Sequence, residues 1–449
     1  MVKGTARLFA LLLIGGIATA TLAPALAEEG VEDGKVYRVI LTNGKEIVGE
    51  VTELEGVYKV KTASGKITQT IRKSQVRQLI PVDEEPSAAD KSSLRRRITD
   101  AEIEEILGSE SVEDLYVWDY IEPIDLMDEL DWDEESVQEM KRYAGRQAKW
   151  LETPHFVCVY TSQPAAARRL VARLEIVYKW NVTFMRLFDI PPRKPEHKLE
   201  IFYFGTHDEY SAYATLNGFS GSGALGFYMR TNNRCAFFDM NTYPPVAAAL
   251  KASKDKRLPL QERRRLKNRY ERYANFMNLA VIQHEATHAM HFNLGVFPKE
   301  AQIGNWMTEG LCVQFEVPPT QEGGSFGSIN YHRLDLFQKM YGPNAEGVAW
   351  QSVRQMILSD STGFHDYVMG WALNYYLRKE RKEEYAKWMQ LLAGREDDWS
   401  VRIDLTQRLA DFEDIFGKVD EEWVQEFFDY IAGIPMKRHA IVEDPRQGP

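Results

Sequence analysis

The sequence predicts an α+β protein in which a small β-barrel is followed by a larger domain of short strands and long helices. Three observations predict this class. Residues 36–80 alternate β-type segments with tight-turn dipeptides, whereas the chain from residue 155 onward mixes short apolar runs with long segments of helical periodicity. Hydrophobic residues make up 44% of the chain, enough for a packed core. The length of 449 residues suggests two or three domains.

Residues 31–82 are predicted to form the small barrel. Asn43-Gly44, Glu55-Gly56 and Ser64-Gly65 are turn signals, and Asn-Gly suits a type I′ hairpin because both central residues take positive φ. The five predicted strands are Val36–Thr42, Ile47–Thr52, Val57–Thr62, Ile67–Arg72 and Val76–Ile80. In its turn spacing the segment resembles SH3-like and Sm-like barrels, which implies either a structural module that docks a protein partner or a ligand-binding module.

Residues 1–27 have the three parts of a secretory signal peptide. Lys3 and Arg7 supply positive charge, residues 8–17 form a short apolar core, and Ala25-Leu26-Ala27 is a cleavage-site pattern. We therefore expect an exported protein, periplasmic or extracellular, with an uncleaved membrane anchor as the alternative. Since no later hydrophobic stretch is long enough to span a bilayer, stable membrane insertion is not expected after cleavage.

Composition argues against a nucleic-acid partner and against a fold or metal site built on cysteines. The chain has 55 Lys and Arg against 66 Asp and Glu, a formal charge of −11, which argues against nucleic acid as a partner. Its three cysteines, Cys158, Cys235 and Cys312, are too few and too far apart for a disulfide scaffold or a CxxC zinc site. Any metal site must therefore be built from histidines and carboxylates.

Residues 83–150 are predicted to be an acidic, partly helical linker. Residues 99–102 have the pattern of a capping box ahead of a short amphipathic helix, and residues 119–139 are strongly acidic. An acidic pro-segment that masks a site is the alternative interpretation.

Residues 151–435 are predicted to form the larger domain, with a tail at 436–449. Its first predicted elements are a strand at His155–Tyr160, a helix at Ala165–Phe188, a strand at Leu199–Phe204, and a hairpin of Gly226–Tyr228 and Cys235–Phe238. The basic stretch 251–272 is interpreted as a charged helix face. Amphipathic helices over 380–432 are expected to pack behind the functional site.

The sequence His284-Glu285-Ala286-Thr287-His288 lies in a predicted helix over Tyr273–Phe292 and has the HExxH pattern. Residues four apart lie one helical turn apart on the same face, so both imidazoles can reach one ion while Glu285 lies beside it. The alternative is a pair of core histidines, which would have to bury two polar rings and a carboxylate on one helix face.

A catalytic zinc needs a third protein ligand and leaves one position for water. The pattern with a third His six residues after the second is absent, because that position holds Leu294. The predicted helix Trp306–Glu316 instead carries Glu309 and Glu316 seven residues apart on a largely apolar face. We expect Glu309 to be the third zinc ligand and Glu316 to orient a ligating imidazole. In the alternative, each is an ordinary surface acid.

These motifs resemble the gluzincin zinc metallopeptidases of the peptidase MA type, especially the aminopeptidase-N-like branch. The matching residues are His284, Glu285, His288, Trp306-Met307-Thr308-Glu309-Gly310, Glu316, and the helix Tyr367–Leu377. The chain also looks like the peptidase-like domain of secreted bacterial proteins. The resemblance covers 155–433, with firm motifs at 284–316 and 367–377.

The resemblance implies a zincin-like fold, with a small β-sheet and a helical active-site lobe, that cleaves peptides or proteins with Zn²⁺. It assigns Glu285 as the catalytic base and Tyr367 as a hydrogen-bond donor to the oxyanion; His365 or a core role for Tyr367 are the alternatives. The aminopeptidases' amine-binding glutamate is missing, because residues 223–230 contain no acid, so exopeptidase activity is not implied. A zinc-binding scaffold or adaptor and a zinc hydrolase with a non-peptide substrate are the alternative functions.

Overall fold

The computed structural model describes most of the chain in two compact units, one over the described residues of 36–81 and one over those of 96–442. The predicted signal peptide and most of the predicted linker and tail lie outside the described residues, so these three remain predictions. The described residues are 36–41, 46–62, 68–81, 96–97, 130–219, 223–317, 326–342, 350–359, 363–398, 404–437 and 441–442.

The smaller unit is a five-stranded antiparallel sheet in the order β4-β3-β2-β1-β5. Its strands are β1 (Val36–Leu41), β2 (Glu46–Leu54), β3 (Val57–Thr62), β4 (Thr68–Arg72) and β5 (Val76–Pro81). Alternate side chains bury one face of the sheet. The buried core consists of Tyr37, Val39, Ile47, Val51, Val60 and Ile71. Strands occur at the five predicted positions, and closure into a barrel remains a prediction.

The larger unit contains a mixed six-stranded sheet in the order β10-β11-β9-β8-β7-β6. Its strands are β6 (Arg96–Arg97), β7 (Lys149–Glu152), β8 (Phe156–Tyr160), β9 (Leu199–Phe204), β10 (Phe227–Met229) and β11 (Arg234–Phe238). Strands β8, β9 and β11 are parallel, and β10 pairs antiparallel with β11 as the edge strand. Every residue of β8 and of β11 is buried, as expected for strands covered on both faces.

Twelve α-helices lie within the described residues, which confirms the predicted α+β class. They are α1 (Glu134–Ala144), α2 (Pro164–Leu187), α3 (His207–Leu216), α4 (Pro244–Ala252), α5 (Leu260–Leu294), α6 (Asn305–Val313), α7 (Tyr331–Tyr341), α8 (Gln351–Leu358), α9 (Phe364–Glu380), α10 (Lys382–Ala393), α11 (Leu405–Phe416) and α12 (Glu421–Ala432). Of the helices described, none has both the length and the apolar character that crossing a bilayer requires.

Helix α5 carries the HExxH pattern and begins at Leu260, thirteen residues before the predicted start at Tyr273. The first thirteen residues are mostly polar and mostly exposed, so they lack the apolar periodicity on which the prediction rested. From Tyr273 the helix is largely buried, and it packs against α2, α4, α6, β10 and β11. It ends at Gly295, whose φ of 90° is a left-handed conformation that glycine adopts without strain. The HExxH segment therefore lies in the packed half of the helix.

Helices α6 and α9 cross with their backbones in contact at a pair of glycines. A Cβ on Gly310 would lie 2.4 Å from the carbonyl carbon of Gly370, and a Cβ on Gly370 would lie 2.6 Å from the carbonyl oxygen of Trp306. No larger residue fits at either position unless the helices separate. This crossing fixes Glu309 on α6 relative to Tyr367 on α9.

We expect Gly310→Ala to destabilise the protein by about 1–3 kcal/mol, because the added methyl group overlaps the backbone of α9. Helix propensity alone predicts the opposite sign, since alanine is favoured over glycine in a helix interior by about 1 kcal/mol. Denaturant unfolding of the two proteins measures the difference. An increase in stability would show that the two helices do not cross in contact.

Candidate metal centre

Helices α5 and α6 bring three predicted metal ligands together. His284 and His288 lie one turn apart on α5, and their Nε2 atoms are 3.1 Å apart. Glu309 of α6 places Oε2 at 3.1 Å from Nε2 of His284 and at 3.3 Å from Nε2 of His288. The side chains of His284, His288 and Glu309 are 6%, 12% and 17% exposed, so the triangle is reached from the side of His288 and Glu309.

The dimensions of this triangle fit a tetrahedral metal site. Zinc binds histidine nitrogen and carboxylate oxygen at about 2.0–2.1 Å, which places two ligand atoms of a tetrahedron about 3.3 Å apart. The three observed separations, 3.1, 3.1 and 3.3 Å, are close to that value. Two imidazoles and one carboxylate also form a donor set that zinc accepts. The residues present therefore fit a zinc ion with one position left for water.

Glu316 fixes the tautomer of His284. Its Oε1 lies 2.9 Å from Nδ1 of His284, and it also accepts hydrogen bonds from Nη2 of Arg333 at 3.1 and 3.3 Å and from Nδ2 of Asn330 at 3.2 Å. Burial would raise the pKa of Glu316, but Arg333 and His284 outweigh it and hold the pKa below its usual value. Because the ionised carboxylate can only accept, Nδ1 of His284 donates, and a neutral ring then presents a lone pair at Nε2.

When both imidazoles are neutral, the triangle carries the negative charge of Glu309 and attracts a cation. With the proton of His284 on Nδ1, its Nε2 lone pair faces an oxygen of Glu309 at 3.1 Å, which is repulsive unless a positive charge lies between them. Without metal, a proton supplies that charge. Burial lowers the pKa of His284, but hydrogen bonds with Glu309 and Glu316 raise it to about 10. A metal cation must displace this proton, so its affinity should fall as the pH falls.

Glu285 lies beside the triangle on α5, with its carboxylate held by the edge strand. The backbone N–H of Tyr228 in β10 donates to Oε2 of Glu285 at 3.0 Å. Burial raises the pKa of Glu285, while the neighbouring His284 and His288 act in the opposite direction. A carboxylate whose pKa is shifted towards neutrality is suited to accept and return a proton.

Tyr367 of α9 also reaches the site. Its ring centroid lies 5.9 Å from that of His284, and the guanidinium carbon of Arg333 lies 5.4 Å from the Tyr367 ring centroid. Burial, followed by the charges of Glu309 and Glu285, raises the pKa of Tyr367, so its hydroxyl keeps its proton and can donate it in a hydrogen bond. The side chain of His365, the alternative donor, lies outside the described residues.

One prediction about Glu316 was wrong in its geometry. Helix α6 ends at Val313 and does not continue to Glu316. The next backbone hydrogen bonds run from Gln314 to Leu311 and from Phe315 to Cys312, which is the tighter 3₁₀ pattern of three residues per turn. Glu316 therefore contacts His284 from the segment after the helix, and it does not share a helix face with Glu309.

The structure adds site contacts that the sequence did not indicate. The turn after β10 contains Asn233 at a φ of 55°, and its side-chain amide exchanges two hydrogen bonds with that of Asn293 on α5, at 2.9 and 2.7 Å. The hydroxyl of Tyr228 donates to the same Asn233 oxygen at 2.8 Å. The sequence predicted a hairpin of Gly226–Tyr228 and Cys235–Phe238, but nothing in it indicated that the turn between these strands holds β10 against α5.

Residues 278–397 match the model of a protein family described as "Protein of unknown function (DUF1570)". The match includes the HExxH segment, Glu309, Glu316 and Tyr367, but it spans less than a third of the chain. A comparison with curated proteins gave no match. The family description names no activity, so any functional conclusion depends on the site itself.

Proposed function

We propose that the protein is a zinc-dependent peptidase of the gluzincin type, with a zincin-like larger domain. The observation that carries the proposal is the triangle of His284, His288 and Glu309, whose separations suit a tetrahedral zinc ion. A carboxylate beside the triangle and a protonated tyrosine facing it supply the two other groups that peptide hydrolysis requires.

The residues divide the chemistry between them. A zinc ion bound here would act as a Lewis acid that lowers the pKa of water towards about 7 and polarises the scissile carbonyl. Glu285 accepts the proton of the attacking water and delivers it to the leaving nitrogen. The hydroxyl of Tyr367 donates a hydrogen bond to the oxygen on which negative charge develops. Glu316 and Arg333 keep the ring of His284 in the tautomer that offers Nε2.

The position of the edge strand β10 next to Glu285 is the reason for proposing a peptide substrate. Strand β10 pairs on one side with β11, and the N–H of Tyr228 instead reaches Glu285. An extended peptide can add to such an edge through main-chain hydrogen bonds. Its carbonyl groups would then pass beside Glu285, where the reaction is proposed to take place.

The proposal is tested by metal analysis and hydrolysis on the same purified protein. We expect one zinc per chain, cleavage of peptides from a mixed-sequence library, loss of cleavage after chelation, and recovery when zinc is added back. Zinc that is bound without cleavage of peptides would favour the scaffold alternative, and spectroscopy showing a fourth protein ligand would strengthen that conclusion. Cleavage of esters or glycosides, with no cleavage of peptides, would favour a zinc hydrolase with a non-peptide substrate.

Tyr367→Phe is expected to lower kcat by about 100-fold, the lower end of the effect of losing one oxyanion donor, while zinc content and KM change little. The hydroxyl donates to charge that develops only in the transition state, and the loss of one such donor typically costs a few kcal/mol at most. Steady-state kinetics and zinc analysis of both proteins measure this. Tyr331→Phe, which removes a hydroxyl from the neighbouring helix α7, is the matched control and should leave kcat unchanged. An unchanged kcat would assign Tyr367 to packing.

A further inference from the structure

Arg230 lies immediately after β10, the edge strand that contacts Glu285. Its side chain is exposed, and its guanidinium carbon lies 5.2 Å from the ring centroid of Phe292. Phe292 follows His288 by four residues on α5, so it lies one turn further along the same helix face. Arg230 therefore places a positive charge on the side of α5 that carries His288.

This charge is not neutralised within the part of the chain that the structure describes. Two other arginines near the site have carboxylate partners: Arg333 pairs with Glu316, and Arg234 pairs with Glu139 and Glu200. Arg230 has no carboxylate within ion-pair distance among the described residues, and its guanidinium group lies over the Phe292 ring. An arginine that stacks on an aromatic ring keeps its outer N–H groups free for a bidentate contact with a carboxylate.

The hairpin fixes the distance between Arg230 and the base. Tyr228 donates its N–H to Glu285, and Arg230 follows two residues later, in the turn after β10, so its Cα lies at most about 7 Å from that of Tyr228. The reciprocal amide pair of Asn233 and Asn293 holds the turn on α5. A peptide added to the edge of β10 would therefore pass Arg230 within one to three residues of its scissile bond.

We propose that Arg230 is a specificity-determining residue that binds a carboxylate of the substrate one to three residues from the scissile bond. This inference rests on the proposed peptidase function and names its substrate class: acidic peptides. The carboxylate has two possible sources, an internal Asp or Glu side chain or the free C-terminus of a short peptide. Both present the same planar pair of oxygens to the guanidinium.

The test compares peptides that differ by one charge. In a cleaved parent peptide, each position within three residues of the scissile bond is made Glu or Gln, and the C-terminus is made free or amidated. We expect one change from Glu to Gln, or the amidation, to lower kcat/KM about tenfold in the wild-type protein. Arg230→Gln should abolish this preference, and Arg230→Glu should favour Lys at the same position. Equal values of kcat/KM for all paired peptides would overturn the inference.

A matched control and a second readout keep the inference separate from the proposed function. Arg265→Gln makes the same charge change on the exposed part of α5, 20 residues or about 30 Å from Glu285, and should leave the preference intact. Fluorescence anisotropy of labelled Glu and Gln peptides on the metal-free protein measures charge-dependent binding without catalysis. If the wild-type protein binds the Glu peptide more tightly than the Gln peptide and Arg230→Gln does not, the inference is supported even if no peptide is cleaved. If the two proteins have the same preference, or neither has one, the inference is overturned. Failure of the zinc-loaded wild type to cleave any peptide would overturn the function alone.

Discussion

Glu285→Gln is expected to lower kcat for peptide hydrolysis by about 1,000-fold and to leave one zinc per chain. The substitution keeps the size of the side chain and an oxygen that can accept the Tyr228 N–H, but it removes the carboxylate that is proposed to take a proton from water. General acid–base catalysis contributes about 10²–10⁴-fold in enzymes, and here one carboxylate is proposed to serve both proton transfers. Single-turnover kinetics with a cleaved peptide, together with zinc analysis, measure both quantities.

Glu262→Gln is the matched control for this substitution. Glu262 lies on the same helix as Glu285, in its exposed first turns, so the variant should keep full activity. Two results would contradict the proposed role of Glu285. Undiminished hydrolysis would remove it from the mechanism, and loss of zinc together with activity would mean that it supports the metal site instead of transferring protons.

The positions of two of the three proposed metal ligands could be predicted from sequence because helical geometry is local. Spacing of four residues places His284 and His288 on one face of any α-helix, whatever the rest of the chain does. Glu309 was found by a different argument: a carboxylate on an apolar helix face needs a partner. The structure brings Glu309 within 3.3 Å of both imidazoles, so the expectation of a shared site agrees with its geometry.

The contacts of Glu316 could not be predicted because they depend on where α6 ends. A helix that continued to Glu316 would place this residue two turns from Glu309 on the same face. The observed 3₁₀ turn after Val313 instead takes Glu316 off the helix face that carries Glu309. Its partners Asn330 and Arg333 lie 14 and 17 residues further along the chain, just before α7 and in its first turn. No spacing rule connects such distant positions, since only tertiary packing brings them together.

The glycines of α6 and α9 could be located from the sequence, but their role could not be predicted from it. Both Gly310 and Gly370 stand in motifs that the sequence singled out, directly after Glu309 and three residues after Tyr367. The sequence shows only that each glycine weakens its own helix. Their contact with one another explains why each is tolerated, and it could be recognised only once the crossing of the two helices was known.

Glu309→Gln is expected to weaken zinc binding by at least about 100-fold. Loss of a residue that only orients a ligand weakens metal affinity by about 10–100-fold, and Glu309 is proposed to contact the metal itself. The amide that replaces it carries no negative charge to balance a divalent cation. At a zinc concentration 1,000 times the wild-type Kd, the stabilisation by zinc should fall from about 4 to about 1.4 kcal/mol or less. Competition with a fluorescent chelator and thermal unfolding with and without zinc measure the two effects.

The rank order of three variants makes this prediction specific to the triangle. Glu316→Gln, which alters the partner of His284, should weaken zinc binding less than Glu309→Gln does. Glu383→Gln, on the exposed surface of α10, should have no effect although it removes the same charge. The oxygen of Glu309 lies 3.1 and 3.3 Å from the two imidazole nitrogens, so a metal ion bound by both imidazoles would also contact Glu309. Wild-type zinc affinity in Glu309→Gln would therefore show that the ion binds elsewhere, and the proposed catalytic role of Glu285 would lose its physical basis.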